Sequence, residues 1–97
     1  MPSIPNNNIG RKTSTLPTPT DEAKRLAMKA LSQSSLTASG IGFVSFPNSG
    51  FRTPQAAASA SGKLRRELQD AGLIIFDSTN SLYHLSPTGR QWIEKNL

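Results

Sequence analysis

The stretch Pro54 to Ile75, PQAAASASGKLRRELQDAGLII, constrains this chain more than any other. Small or apolar side chains fall at Ala57, Ala60, Leu64, Leu68 and Ala71. Steps of three and four residues put them on one face of an α-helix. Thr53 is the expected N-cap, and Pro54 suits the first helical position, where a missing N–H costs nothing. Gly72 suits the stop, where the backbone turns to positive φ. Leu73 to Phe76 then forms a short apolar run of strand formers. The opposite helix face carries Gln55, Ser59, Lys63 and Arg66, with Arg65 on its flank. The spacing predicts one continuous helix over 54–71, with an aliphatic stripe turned inward and a basic-polar stripe turned outward.

Upstream, residues 1–19 are rich in Pro, Asn, Thr and Ser and poor in large apolar residues. Such a composition buries too little surface to offset ordering entropy, so an extended arm bearing Arg11 and Lys12 is expected. Residues 20–97 are expected to form one small domain. Thr20, ahead of Asp21 and Glu22, is a helix start with acidic residues at the positive end of the dipole. Ala23, Leu26, Ala27, Ala30 and Leu31 share one face of that helix, and Lys24, Arg25 and Lys29 lie off it.

Residues 35–53, SLTASGIGFVSFPNSGFRT, are the least legible. Gly40 and Gly42 count against a helix interior. A short strand near 42–46 is preferred, with a short distorted helix as the alternative. Pro47-Asn48-Ser49-Gly50 marks a turn, and Phe51 is expected to anchor it in the core. Downstream, Asp77–Ser81 is a turn between Leu73–Phe76 and a returning strand, Leu82–Leu85. Alternation puts Leu82 and His84 on one face, Tyr83 and Leu85 on the other. Ser86 and Pro87 open a last helix whose apolar edge is Trp92, Ile93 and Leu97.

Several function classes find no support in these residues. The chain has no cysteine and one histidine, His84, so neither a disulfide nor a zinc site is expected. No nucleophile–base pair, phosphate-binding glycine loop or carboxylate pair stands out, so no catalytic residue, cofactor or small-molecule substrate is expected. Glu67 has an ordinary helix role near Lys63. Trp92 and Phe43 read as core or dimer-contact residues, and His84 as a packed or half-exposed one. No apolar run is long enough for a membrane helix, and MPSIPNNNIGRK lacks the apolar segment of a secretory signal. A cytoplasmic location is expected. Lys and Arg total 11 against 6 Asp and Glu, a net +5 with a pI near 10.3. That surplus favours polyanionic partners, nucleic acid above all.

The order helix, unclear segment, helix, strand, turn, strand, helix is an α+β layout. LRRELQDAGLI at 64–74 and YHLSPTGRQWI at 83–93 resemble the end of the recognition helix and the exit from the wing in the winged-helix DNA-binding superfamily. The resemblance covers 20–97 in outline and 60–94 in detail. It departs from the usual pattern at 35–51, where a second helix belongs. A rival alignment, Ala58-x-x-x-Gly62-x-x-x-x-x-Leu68, fits a helix-turn-helix bent at Gly62 and moves the reading residues towards Lys63, Arg65 and Arg66.

The resemblance implies a small winged-helix protein with three or so helices, a small antiparallel sheet and a C-terminal helix. It implies sequence-specific binding to double-stranded DNA, as a transcription regulator or a mobile-element accessory factor, nucleoid-associated when bound. Helix 54–71 would lie in the major groove, with Gln55, Ser59, Lys63, Arg65 and Arg66 towards bases or phosphates. Arg52 and Thr53 would meet the backbone. Ser78, Thr79 and Asn80, at a wing without Lys or Arg, would add hydroxyl and amide contacts. A homodimer through the first or last helix is a further expectation. The rival readings are a protein–protein adaptor, since fold alone does not settle function, and a non-specific nucleic-acid coat.

Overall fold

A computed structural model describes residues 19–97. The arm expected over 1–19 lies, apart from Pro19, outside the described residues. The elements run α1 (Asp21–Gln33), α2 (Ala38–Ser45), α3 (Pro54–Ala60), α4 (Gly62–Asp70), β1 (Ile74–Asp77), β2 (Leu82–Leu85) and α5 (Pro87–Asn96). The fold is α+β: five helices and a two-stranded antiparallel sheet among the described residues.

The helix starts follow from their caps. Thr20, Thr37, Thr53 and Ser86 each accept a bond from the backbone N–H three residues on, at 2.9 to 3.1 Å. Each satisfies a donor that the helix cannot. The stop at the end of α4 is equally local. Gly72 takes φ of 76°, its N–H donates to Gln69 O at 2.9 Å, and Leu73 N–H reaches Leu68 O at 2.9 Å. That paired arrangement is the Schellman stop, and it ends the helix before Ala71. Ala71, assigned above to the buried stripe, is exposed in the cap instead.

Two of the expected elements differ in the structure. Residues 42–46 form no strand; Ala38–Ser45 is helix α2, opened by Thr37. Its glycines are explained by packing. A Cβ on Gly42 would stand 2.0 Å from Ala57 O, so α2 and α3 approach backbone to backbone. The continuous helix 54–71 is also broken, at Ser61, one residue before the rival alignment put its bend. Ser61 has ψ of −2°, and its N–H is shared between Ala57 O at 3.1 Å and Ala58 O at 3.2 Å. This tightened turn, at a Ser-Gly pair, breaks the ladder. The ladder resumes where Arg65 N–H donates to Ser61 O at 2.8 Å.

β1 and β2 pair in the register Ile74 with Leu85 through Asp77 with Leu82. Tyr83 and Leu85 are buried while Leu82 and His84 are half-buried, as the alternation predicts. Leu36, between α1 and α2, bridges Tyr83 on the sheet's other edge. One core gathers Ala23, Ala27, Met28 and Leu31 of α1, Ile41 of α2, Leu64 and Leu68 of α4, then Leu73, Ile74, Tyr83 and Leu85. Trp92 and Ile93 pack against its edge. Phe51 is not a core anchor. It is half-buried, edge-on to the exposed Phe43 at 6.0 Å.

The last helix is latched by contacts, not by bulk. Ser86 Oγ donates to Gly72 O, and Ser86 N–H reaches Leu73 O at 3.0 Å. Gly89 lies so close that a Cβ would sit 2.1 Å from Leu73 O. Against α1, Arg25 Nη1 donates to Asn96 O at 3.2 Å, and Lys24 Nζ lies 5.4 Å from the centre of the Trp92 ring.

Candidate nucleic-acid interface

The residues singled out from sequence fall into three groups. Gln55 borders a cleft formed by the start of α2, the start of α3 and the hairpin. Thr37, Ser39, Pro54, Phe76 and Ser81 line it, with Arg65 and Tyr83. Lys63 and Arg66 line a neighbouring hollow along α4, with Gly62, Gln69 and again Arg65. Arg52, Thr53 and Ser59 are exposed outside both depressions. Thr53 Oγ1 is engaged as the cap of α3, accepting from Ala56 N–H.

The break at Ser61 explains this division, because the outward face expected of one rod is split between two short ones. Lys63 and Arg66 are exposed. Among the described residues no carboxylate lies within 4 Å of Arg52, Lys63 or Arg66, and the Lys63–Glu67 pairing suggested by their spacing is not formed. Their charges face solvent uncompensated at close range. The exposed residues of α3 are Pro54, Gln55, Ala56 and Ser59, with no side chain longer than that of Gln55.

Arg65 is placed differently from the rest. It is half-buried and directed into the protein, bonded to Ser61, Tyr83 and Ala58. The contact with bases or phosphates expected of it is therefore met by three internal acceptors.

The hairpin tip Ser78, Thr79 and Asn80 is exposed. Much of its polarity is turned on itself. Asp77 Oδ1 accepts from Thr79 N–H at 3.0 Å and from Asn80 N–H at 3.4 Å, and Asp77 Oδ2 accepts from Asn80 Nδ2 at 2.9 Å. The Asn80 side-chain bond, then the two backbone donors, hold the Asp77 carboxyl below its ordinary 3.8; nearby His84 adds to the same direction. Ser81 takes φ of 56°, which closes the turn.

His84 connects this turn to the α1–α2 segment. Its Nδ1 shares a 2.5 Å hydrogen bond with Ser35 Oγ, and its Nε2 stands 3.6 Å from Asp77 Oδ2. The order Ser35–His84–Asp77 superficially evokes a nucleophile, base and orienting acid. The 3.6 Å gap is too long for the orienting hydrogen bond that such chemistry needs.

Thr37 and Ser39 were missed from sequence. They were lost with α2, although a Thr ahead of an apolar run was the available cap signal. Ser81 belongs to the expected wing tip, Ser78–Ser81, from which hydroxyl or amide contacts would come. Among the described residues no cluster of acidic, His or Cys side chains could hold a metal, and no helix is long and apolar enough to cross a membrane. Comparison of the chain with protein-family models, curated proteins and solved structures finds no match.

Proposed function

We propose that the chain is a winged-helix protein that binds double-stranded DNA, a binding protein and not an enzyme. The layout supports this reading. A helix, a bridging segment, a second helix, a third bent helical unit and a hairpin follow in the order that such proteins use, and α2 fills the place that the sequence left doubtful. The observation that carries the proposal is the pair Lys63 and Arg66, exposed on one hollow of α4 without a carboxylate partner among the described residues. Cations held on a helix face without internal neutralisation suit a phosphate backbone or guanine edges. Short side chains on α3 permit close approach of the helix to a groove wall. Gln55 would read a base from the hairpin side, and Arg52 would meet a phosphate. Regulation of transcription, or accessory work for a mobile element, is the role proposed for such binding.

The test is selection of duplexes from a random pool, followed by salt titration of the winners. Enrichment of one motif is the expected result. Lys63→Ala and Arg66→Ala should each weaken binding at low salt and lower the slope of log affinity against log salt by about one unit. Binding without enrichment would favour a non-specific coat, and no binding at low salt would end the duplex reading.

One observation favours the adaptor alternative. Ile75 and Phe76 stand 52% and 42% exposed on a hairpin whose tip lacks Lys and Arg. A hairpin with exposed apolar side chains and no Lys or Arg suits a protein surface better than a phosphate backbone.

A further inference from the structure

The three acceptors of Arg65 belong to three separate parts of the chain. Nη2 donates to Ala58 O at 3.0 Å, in α3. Nε donates to Ser61 Oγ at 2.7 Å, at the break. Nη1 donates to Tyr83 Oη at 2.8 Å, on β2. The guanidinium carbon also lies 5.6 Å from the centre of the Tyr83 ring.

Each acceptor is itself fixed. Ala58 O lies at the break, where it also accepts from Ser61 N–H at 3.2 Å and lies 2.8 Å from Ser61 Oγ. Ser61 is fully buried, and its hydroxyl also lies within bonding distance of Ala38 O in α2, at 3.0 Å. Tyr83 exchanges backbone bonds with Leu36 at 2.7 and 3.2 Å, and its ring packs on Phe76 at 4.8 Å. A planar fork with donors in set directions can satisfy three such acceptors at once; a lysine ammonium on a flexible stem cannot reproduce that geometry.

We propose that Arg65 is a positioning residue that locks the bend between α3 and α4 to the hairpin, so that the two half-helices and the hairpin move as one body. The functional half of this proposal rests on the duplex-binding reading above. On that reading the bend sets how Gln55, Lys63 and Arg66 meet a duplex together, and Arg65 governs discrimination without touching a phosphate.

The test compares Arg65→Lys, which keeps the charge, with Tyr83→Phe, which keeps the ring and removes one acceptor. Amide hydrogen exchange on the free protein comes first. Both variants should speed exchange at Ser61 and Arg65 and also at Leu36 and Tyr83, roughly tenfold for loss of one charge-assisted bond. Amides in the middle of α1 should keep their rates. Acceleration at only one of the two places, or equally throughout the chain, would overturn the clamp.

The second arm uses the duplex enriched from the random pool and an unrelated duplex of equal length. Both variants should lower the ratio of the two affinities about tenfold while leaving the salt slope unchanged. If Arg65→Lys kept full affinity while Arg65→Ala lowered the slope by about one unit, Arg65 would be a phosphate contact and the proposal would fall. Absence of any enriched duplex for the unaltered protein would end the duplex reading alone; the exchange measurement would still decide the clamp.

Discussion

Gly42→Ala is the substitution that most directly probes the packing of α2 on α3. The added Cβ would stand 2.0 Å from Ala57 O, 2.6 Å from its carbonyl carbon and 3.0 Å from its Cα. None of these atoms belongs to a side chain that can swing away. Relief requires the helices to part by roughly 1.4 Å, the gap between 2.0 Å and the 3.4 Å at which ordinary contact begins. Overpacking of this kind costs about 1–3 kcal/mol. Replacing a helical glycine by alanine returns about 1 kcal/mol of helix propensity. A backbone clash belongs at the upper end of the overpacking range, so the net loss should be about 2 kcal/mol. For a domain of this size that lowers the melting temperature by roughly 8–16 °C. Thermal unfolding followed by circular dichroism measures it. Gly40→Ala is the control in the same helix, because its Cβ would meet Thr37 Oγ1 at 3.3 Å and the Leu36 side chain at 3.5 Å. It should lie within about 1 kcal/mol of the parent. A Gly42→Ala protein melting within about 2 °C of the parent would refute the backbone-to-backbone contact.

Two further outcomes are expected. Ser86→Ala removes the cap on Gly89 N–H and the donor to Gly72 O, and should destabilise the fold by about 1–2 kcal/mol in urea unfolding. For Asp77, the folded carboxyl titrates below its ordinary 3.8, so its contribution is present above that value and is lost as pH falls through the lower folded value. The Thr79 and Asn80 amide resonances should therefore move with pH about a midpoint below 3.8, whereas in Asp77→Asn they should be insensitive to pH across that range; movement centred above 3.8 in the parent would contradict the turn geometry.

Local rules made much of this fold legible. Thr20, Thr53 and Ser86 cap, Gly72 stops, and the strand pair alternates, because each depends on neighbours within a few residues. What escaped depends on distant partners. Gly42 lowers helix propensity, yet α2 needs it because Ala57 O occupies the space a side chain would take. The apolar spacing of Ala57, Ala60, Leu64 and Leu68 runs through Ser61 without a fault, so periodicity alone concealed the break. Ser61-Gly62 was the only local hint. Lys63 and Arg66 were legible as an exposed face, since helical phase suffices to place them. Arg65 was not, because its partner Tyr83 lies eighteen residues away across a turn.

The break after Ala60 also limits reach. A seven-residue α3 measures roughly 10 Å, the height of about three stacked base pairs. The cations of α4, Lys63 and Arg66, line a separate hollow. On the duplex-binding reading, one molecule would inspect an address too brief to be rare in a genome, so selectivity would have to come from repeated addresses at a set spacing, each read by another copy of the chain.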